Sequence, residues 1–350
     1  DSIQEQAFLR ASAMARDWKC LVFVCLRPAT FSRSRNSGVL DSVAPRVIVV
    51  APPLTRPLLV RRFDYALGLL SGVNSPGKSI SHHLPSTKRV LQRVRESFNS
   101  DAKLCRLFDS LSNGNVRALL QFVQQALIND HLDTEKISDK PSYLMPVHEA
   151  LRSILYGEHL QYDPTHSPVV NLFDALHADK IEHFSRFLLL HYLSRQRSLP
   201  QNTRGLRSVT EVETYMCQLG YTPAHVTATL KFLFDKHCCE CSVPGVTWAN
   251  RTEEFRITDW GTYHINNLVN EFQYVDAMVI DTPIMDDSVR ETIQHVRYIR
   301  DRIVRCQHFV DYLDNAMLTM KDDDATLAWA EVARTVREDI EYIKARIEKK

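Results

Sequence analysis

Residues 72–79, Gly72-Val-Asn-Ser-Pro-Gly77-Lys78-Ser79, fit the spacing G-x-x-x-x-G-K-[ST]. In a phosphate loop of that spacing, backbone N–H groups and the N-terminus of the next helix wrap the phosphates, and the lysine adds charge. Such a cradle needs a buried strand leading in and a helix leading out. Here Phe63–Leu70 repeat with helical periodicity, and Pro85 follows Ser79 by six positions, too soon for a firm helix. Ala277-Met-Val-Ile-Asp281 is the nearest acid-ended apolar run, and it continues a helical pattern. The context predicts a lid-like loop over 72–79, not a phosphate cradle.

A second constellation is His237, Cys238, Cys239 and Cys241. Imidazole and thiolate are zinc ligands, but the spacing is not C-x-x-C and no second pair lies near. In a strand, Cys239 and Cys241 share one face and Cys238 takes the other. Buried thiols in a strand are the expectation, and no metal ligand set is assigned. His148 and Glu149 show neither a nucleophile elbow nor metalloprotease spacing. Lys231, Lys236, Arg251 and Arg256 are the cations of a thin basic footprint, opposed by Asp235, Glu253 and Glu254. The run Arg297, Arg300, Arg302 and Arg305 is interleaved with acids and reads as a solvated helix face.

Elements must position these groups. The chain has 350 residues, more than one core usually spans. Lys plus Arg number 43 and Asp plus Glu 42, so no global charge draws it to nucleic acid or membrane. No apolar run is long enough for a membrane span, and no signal sequence opens the chain; a cytoplasmic protein with reduced thiols is expected. The fold class expected is mainly α with a small α/β remnant. Cys20–Leu26 and Val47–Ala51 are continuous apolar runs of the kind buried on both faces of a sheet. Helical periodicity covers Gln4–Ala15, Pro57–Leu70, Lys88–Phe98, Ala102–Leu111, Val116–Ile128, Val147–Tyr156 and Ile181–Gln196. After a linker at 198–208, Val209–Leu219 is a helix. Thr222-Pro223 then caps and starts another that runs to about Lys236. Cys238–Val243 and Glu253–Thr258 alternate like strands, and a helix follows Gly261. Helix, turn, helix and two-stranded ribbon is the winged-helix order. Two long charged helices, an antiparallel hairpin broken near Lys321–Asp324, fill Asp286–Lys350. The expected parts are 1–53, the end of an α/β core; 54–140, a helical lid; 141–204, a helical connector; 205–280, a winged helix; and 281–350, a helical hairpin.

Three stretches together resemble P-loop ATPases of the AAA+/STAND type, with a lid similar to that of archaeal origin-recognition ATPases. Leu21–Phe31 (LVFVCLRPATF) and Arg46–Pro53 (RVIVVAPP) resemble the sensor 1 strand, its arginine-bearing loop and the last core strand. Asn113–Leu120 (NGNVRALL) resembles the lid motif G-[DN]-x-R, whose arginine acts as sensor 2. The winged helix is the third. The resemblance covers most of residues 1–280. It implies that the true Walker A and B strands lie before Asp1 and that the full-length protein hydrolyses ATP with Mg2+. Arg117 is then the γ-phosphate reader and Arg27 a sheet-edge nucleotide ligand. One of Arg33, Arg35 and Arg46 is implied as an arginine finger reaching a neighbouring subunit. The function implied is coupling of nucleotide state to homo-oligomerisation or to binding an effector protein, in signalling or antiviral defence. The alternative is a winged-helix DNA-binding regulator that uses Lys231, Lys236, Arg251 and Arg256.

Overall fold

The computed structural model describes residues 2–26, 31, 46–48, 50–71, 85–140, 142–175, 179–197, 205–243, 245–294, 296 and 298–348. Among them the chain is mainly helical. The first half comprises α1 (Ser2–Trp18), α2 (Thr55–Leu70), α3 (Pro85–Ser100), α4 (Ala102–Ser112), α5 (Val116–Ile128), α6 (Thr134–Asp139), α7 (Val147–Tyr156) and α8 (Ser185–Arg197). Then come β1 (Arg207–Ser208), α9 (Val209–Gln218), α10 (Pro223–Asp235), β2 (Cys239–Cys241), β3 (Glu254–Ile257) and α11 (Asp259–Asn266). The chain continues through α12 (Phe272–Asp281), α13 (Asp287–Gln294), α14 (Ile299–Met317) and α15 (Asp323–Glu348). No described helix is long and apolar enough to cross a membrane.

Side-chain caps set many of these boundaries. Asp101 accepts from Lys103 N and Leu104 N at the start of α4, and Asn115 from Arg117 N and Ala118 N at the start of α5. Ser208 and Glu211 close a capping box on α9. Thr222 caps α10, with Pro223 in the first helical position, where a missing N–H costs nothing. Of these caps Thr222 was the one read from the sequence, and the helix bounds agree with the expected ones to within a few residues.

Among the described residues no strand of the expected α/β remnant is formed. Residues 20–26, 46–48 and 50–53 belong to neither helix nor strand. Leu21 is 82% exposed, Phe23 75%, Ile48 65% and Val50 87%. Apolar runs become buried strands only where a sheet supplies hydrogen bonds and two covered faces, and among the described residues none pairs with these runs. The polar connector at 130–145 contains α6, α11 begins at Asp259 ahead of Gly261, and three helices instead of two follow Asp286.

The three strands form one small antiparallel sheet in the order β1-β3-β2. Arg207 pairs with Phe255, and Cys239 with Ile257. β1 is a strand that period-2 reasoning missed, because two residues are too few to show alternation. Phe255 and Ile257 point inward onto α8 and α10, while Cys239 and Cys241 are buried on the same side.

One irregular segment occupies the centre of the molecule. Val169–Phe173 is almost wholly buried without being helix or strand. Buried backbone needs partners, and here side chains provide them. Val170 N donates to His264 Nε2 (3.0 Å), and Tyr274 Oη donates to Val170 O (2.8 Å) while accepting from Leu172 N (3.0 Å). Arg186 Nη1 donates to Asn171 O (2.8 Å), and His183 Nδ1 bonds Phe173 O (2.7 Å). The Phe173 ring sits among Phe187, Tyr274, Phe309 and Trp329. The segment thereby joins α8, α11, α12, α14 and α15 in one core.

Candidate functional site

The turn between α4 and α5 carries the first candidate. Helix α4 ends at Asn113 in the left-handed region (φ 45°), and Gly114 follows at φ 78°. A Cβ on Gly114 would stand 3.2 Å from Pro52 Cγ, so the turn packs against the Ala51-Pro52-Pro53 stretch. Asn115 then occupies the cap of α5 with its own carbonyl. The result is a short, fixed corner that places Arg117 on the first turn of α5 with its side chain in solvent. Among the described residues the Arg117 guanidinium has no hydrogen-bond or ion-pair partner; only its backbone N–H is engaged, by the Asn115 cap. A rigid corner offering one unneutralised guanidinium is a suitable reader of a phosphate or carboxylate approaching from outside.

Arg46 is also exposed. Arg27, Arg33 and Arg35 lie outside the described residues, as does Gly72–Ser79 with Lys78. What leads into that last segment is described. It is α2, a helix running to Leu70. The strand that a phosphate loop requires is therefore not there, and Ala277–Asp281 likewise lies inside α12.

The cations proposed for DNA are all engaged within the fold. Lys231 pairs with Asp235 one helical turn on. Lys236 Nζ donates to Pro164 O (2.6 Å). Arg251 stacks on the Trp248 ring (4.0 Å to its centroid) and faces Glu253 at 3.8 Å. Arg256 bonds Glu240 across the sheet at 2.7 Å. A phosphate backbone would have to compete with each of these partners.

The thiols of the HCCEC run are buried separately. Cys238 Sγ lies 3.8 Å from Lys236 O, Cys239 Sγ 3.9 Å from Leu230 O and Cys241 Sγ 3.2 Å from Val243 O. Burial pushes the Cys238 and Cys239 thiols far above their usual range, so neither is a ready thiolate.

Arg302 and Arg305 are not part of a solvated helix face, because a buried acid draws both inward. Asp276 on α12, 1% exposed by its side chain, is clasped by Arg302 and Arg305 of α14. A lone acid in the apolar run Tyr274-Val-Asp-Ala-Met-Val-Ile was the signal for it, since a buried carboxylate demands a cation. A groove of about 730 Å3 runs along α14 and α15, lined by Leu318, Trp329, Ala333, Arg334 and Arg337 among others. None of the predicted site residues lines it.

No protein-family model matches the chain, and neither a curated protein nor a solved structure resembles it significantly.

Proposed function

We propose that the chain is the lid, winged-helix and helical C-terminal region of an AAA+/STAND-type ATPase, which couples nucleotide state to self-assembly or to an effector protein. The observation carrying this reading is the Asn113–Arg117 corner. It fixes one solvent-facing arginine on a helix start, against the proline stretch that ends the second apolar run. The two exposed apolar runs around Leu21 and Ile48 support it as well. They have the composition of core strands and await a sheet to join. The order β1-α9-α10-β2-β3, with a three-stranded sheet packed on helices, supports the winged-helix reading of 205–280. Internal pairing of Lys231, Lys236, Arg251 and Arg256 favours a protein partner over DNA for that unit. ATP and Mg2+ enter through the full-length protein, and this chain alone gives no turnover.

The test is ATP hydrolysis by the full-length protein carrying Arg117→Ala. Loss of γ-phosphate recognition lowers kcat by about tenfold or more. Unchanged hydrolysis would refute the sensor role. Turnover by the 350-residue chain that Lys78→Ala abolishes would restore 72–79 as a phosphate loop. A low-salt DNA shift lost in the quadruple variant of Lys231, Lys236, Arg251 and Arg256 would favour the DNA-binding alternative.

A further inference from the structure

The loop leaving α7 gathers three donors spaced H-x3-D-x2-H. Gly157 at φ 57° turns the chain out of the helix. Six residues later Asp163 organises a second turn. Its carbonyl accepts from His166 N (3.2 Å) and Ser167 N (2.8 Å), and its Oδ1 accepts from Thr165 N (2.8 Å). His159 and His166 are thereby brought ring to ring, their centroids 4.8 Å apart. One ligand atom from each of His159, Asp163 and His166 lies within 4.8 Å of both others. We propose that these three residues bind a divalent transition-metal ion, with zinc the best match to the donor set.

The loop is held ready on both sides of Asp163. Tyr162 is buried and donates to Val169 O (2.8 Å), and Lys236 at the end of α10 donates to Pro164 O (2.6 Å). His131 Nε2 bonds His159 O (2.8 Å) and fixes the other end. Asp163 Oδ2 lies 2.9 Å from His166 Nδ1, so these two donors already face one another, and the metal ion takes the place of the proton between them. Tetrahedral ligands about 2.1 Å from zinc stand about 3.4 Å apart, so the 2.9 Å Asp163–His166 pair opens slightly, and donors as far as 4.8 Å apart close in. Both imidazoles are exposed and swing without disturbing the core. Two imidazoles with one carboxylate select zinc and its neighbours over magnesium or calcium, which prefer all-oxygen shells. Water fills the remaining position. The ion would stiffen the 157–168 loop, which Lys236 already ties to the end of α10.

Zn2+ and Co2+ titrations of the purified 350-residue chain against a chromophoric chelator test this. One saturable equivalent at micromolar concentration is expected. His159→Ala and His166→Ala abolish it, Asp163→Asn weakens it by about 10- to 100-fold, and His308→Ala, on the exposed face of α14, leaves it unchanged. All four positions are at the surface, and far-UV circular dichroism checks that each variant keeps its helices. X-ray absorption of the Zn2+ form should show nitrogen and oxygen ligands only. Sulfur in that shell would overturn the proposal in favour of a cysteine site. So would binding unaffected by His159→Ala and His166→Ala, equal loss in His308→Ala, or adventitious binding alone with no saturable equivalent.

Discussion

Tyr274 fills both hydrogen-bonding roles of its hydroxyl on one buried backbone stretch, donating to Val170 O and accepting from Leu172 N. Tyr274→Phe leaves a carbonyl and an N–H unpaired in the core. Unfolding in urea should show a loss of about 2–4 kcal/mol, and a loss under about 1 kcal/mol would mean the backbone finds other partners. His264 is constrained as tightly. Its Nε2 accepts from Val170 N and its Nδ1–H donates to Trp260 O, so the ring must be neutral. Full burial lowers its pKa to about 4. The folded state therefore binds fewer protons than the unfolded one between about pH 6.5 and 4. The stability it contributes is complete above pH 6.5 and drains away as pH falls toward 4. Burial also lowers His183, which holds the other end of the segment at Phe173 O, in the same direction. A pH titration followed by ring-proton NMR should find His264 neutral until the protein unfolds. Titration at an ordinary histidine value would contradict the assignment. None of this was legible in the sequence. A histidine on an apolar helix face announces burial, but its partner lies 94 positions away along the chain.

At the scale of elements, the sequence spoke through local chemistry. The caps Asp101, Asn115, Ser208 and Thr222 set their helix starts because a side-chain acceptor one turn from an orphan N–H acts within four residues. The Asn113-Gly114-Asn115 corner has the same local basis, since Asn and Gly are the residues that tolerate left-handed backbone. The runs at 20–26 and 47–51 misled because apolar periodicity reports what a segment can bury against, not whether that surface is present. Gly261 shows a tighter constraint. A Cβ there would lie 2.0 Å from Cys238 O and 2.8 Å from Ile257 Cγ1. The first turn of α11 thus lies directly on the beginning of β2, and backbone is the obstacle. Gly261→Ala should cost at least about 1–3 kcal/mol in thermal or urea unfolding. A neutral effect would show that α11 slides away from the sheet without penalty.

For the molecule as a whole, α15 returns across α14 and reaches the turn before α12, where Asp339 Oδ2 accepts from Phe272 N (2.9 Å). Glu271 is beside it, and burial, reinforced by the Asp339 charge, raises its carboxyl to about 7. The fold favours the protonated form, so this group's contribution is intact below about pH 4.5 and is lost as pH climbs through 7. Glu271→Gln should match the parent at pH 4 and exceed it in urea midpoint at pH 8; equal midpoints at both would remove the coupling. One hydrophobic core runs from Leu59 to Ile340 across the expected boundaries, through contacts between residues far apart in the chain that a local reading does not show. The Val169–Phe173 segment is the reason, and it also dictates a timetable. Its backbone partners His264 and Tyr274 lie 94 and 104 residues downstream. A ribosome adding about 5–20 residues per second leaves the segment unsatisfied for some seconds. During that interval Val169, Val170, Leu172 and Phe173 are a sticky, unpaired stretch on a nascent chain. Synthesis halted before α12 should therefore yield a product that holdase chaperones retain, and synthesis carried through α15 one that they release.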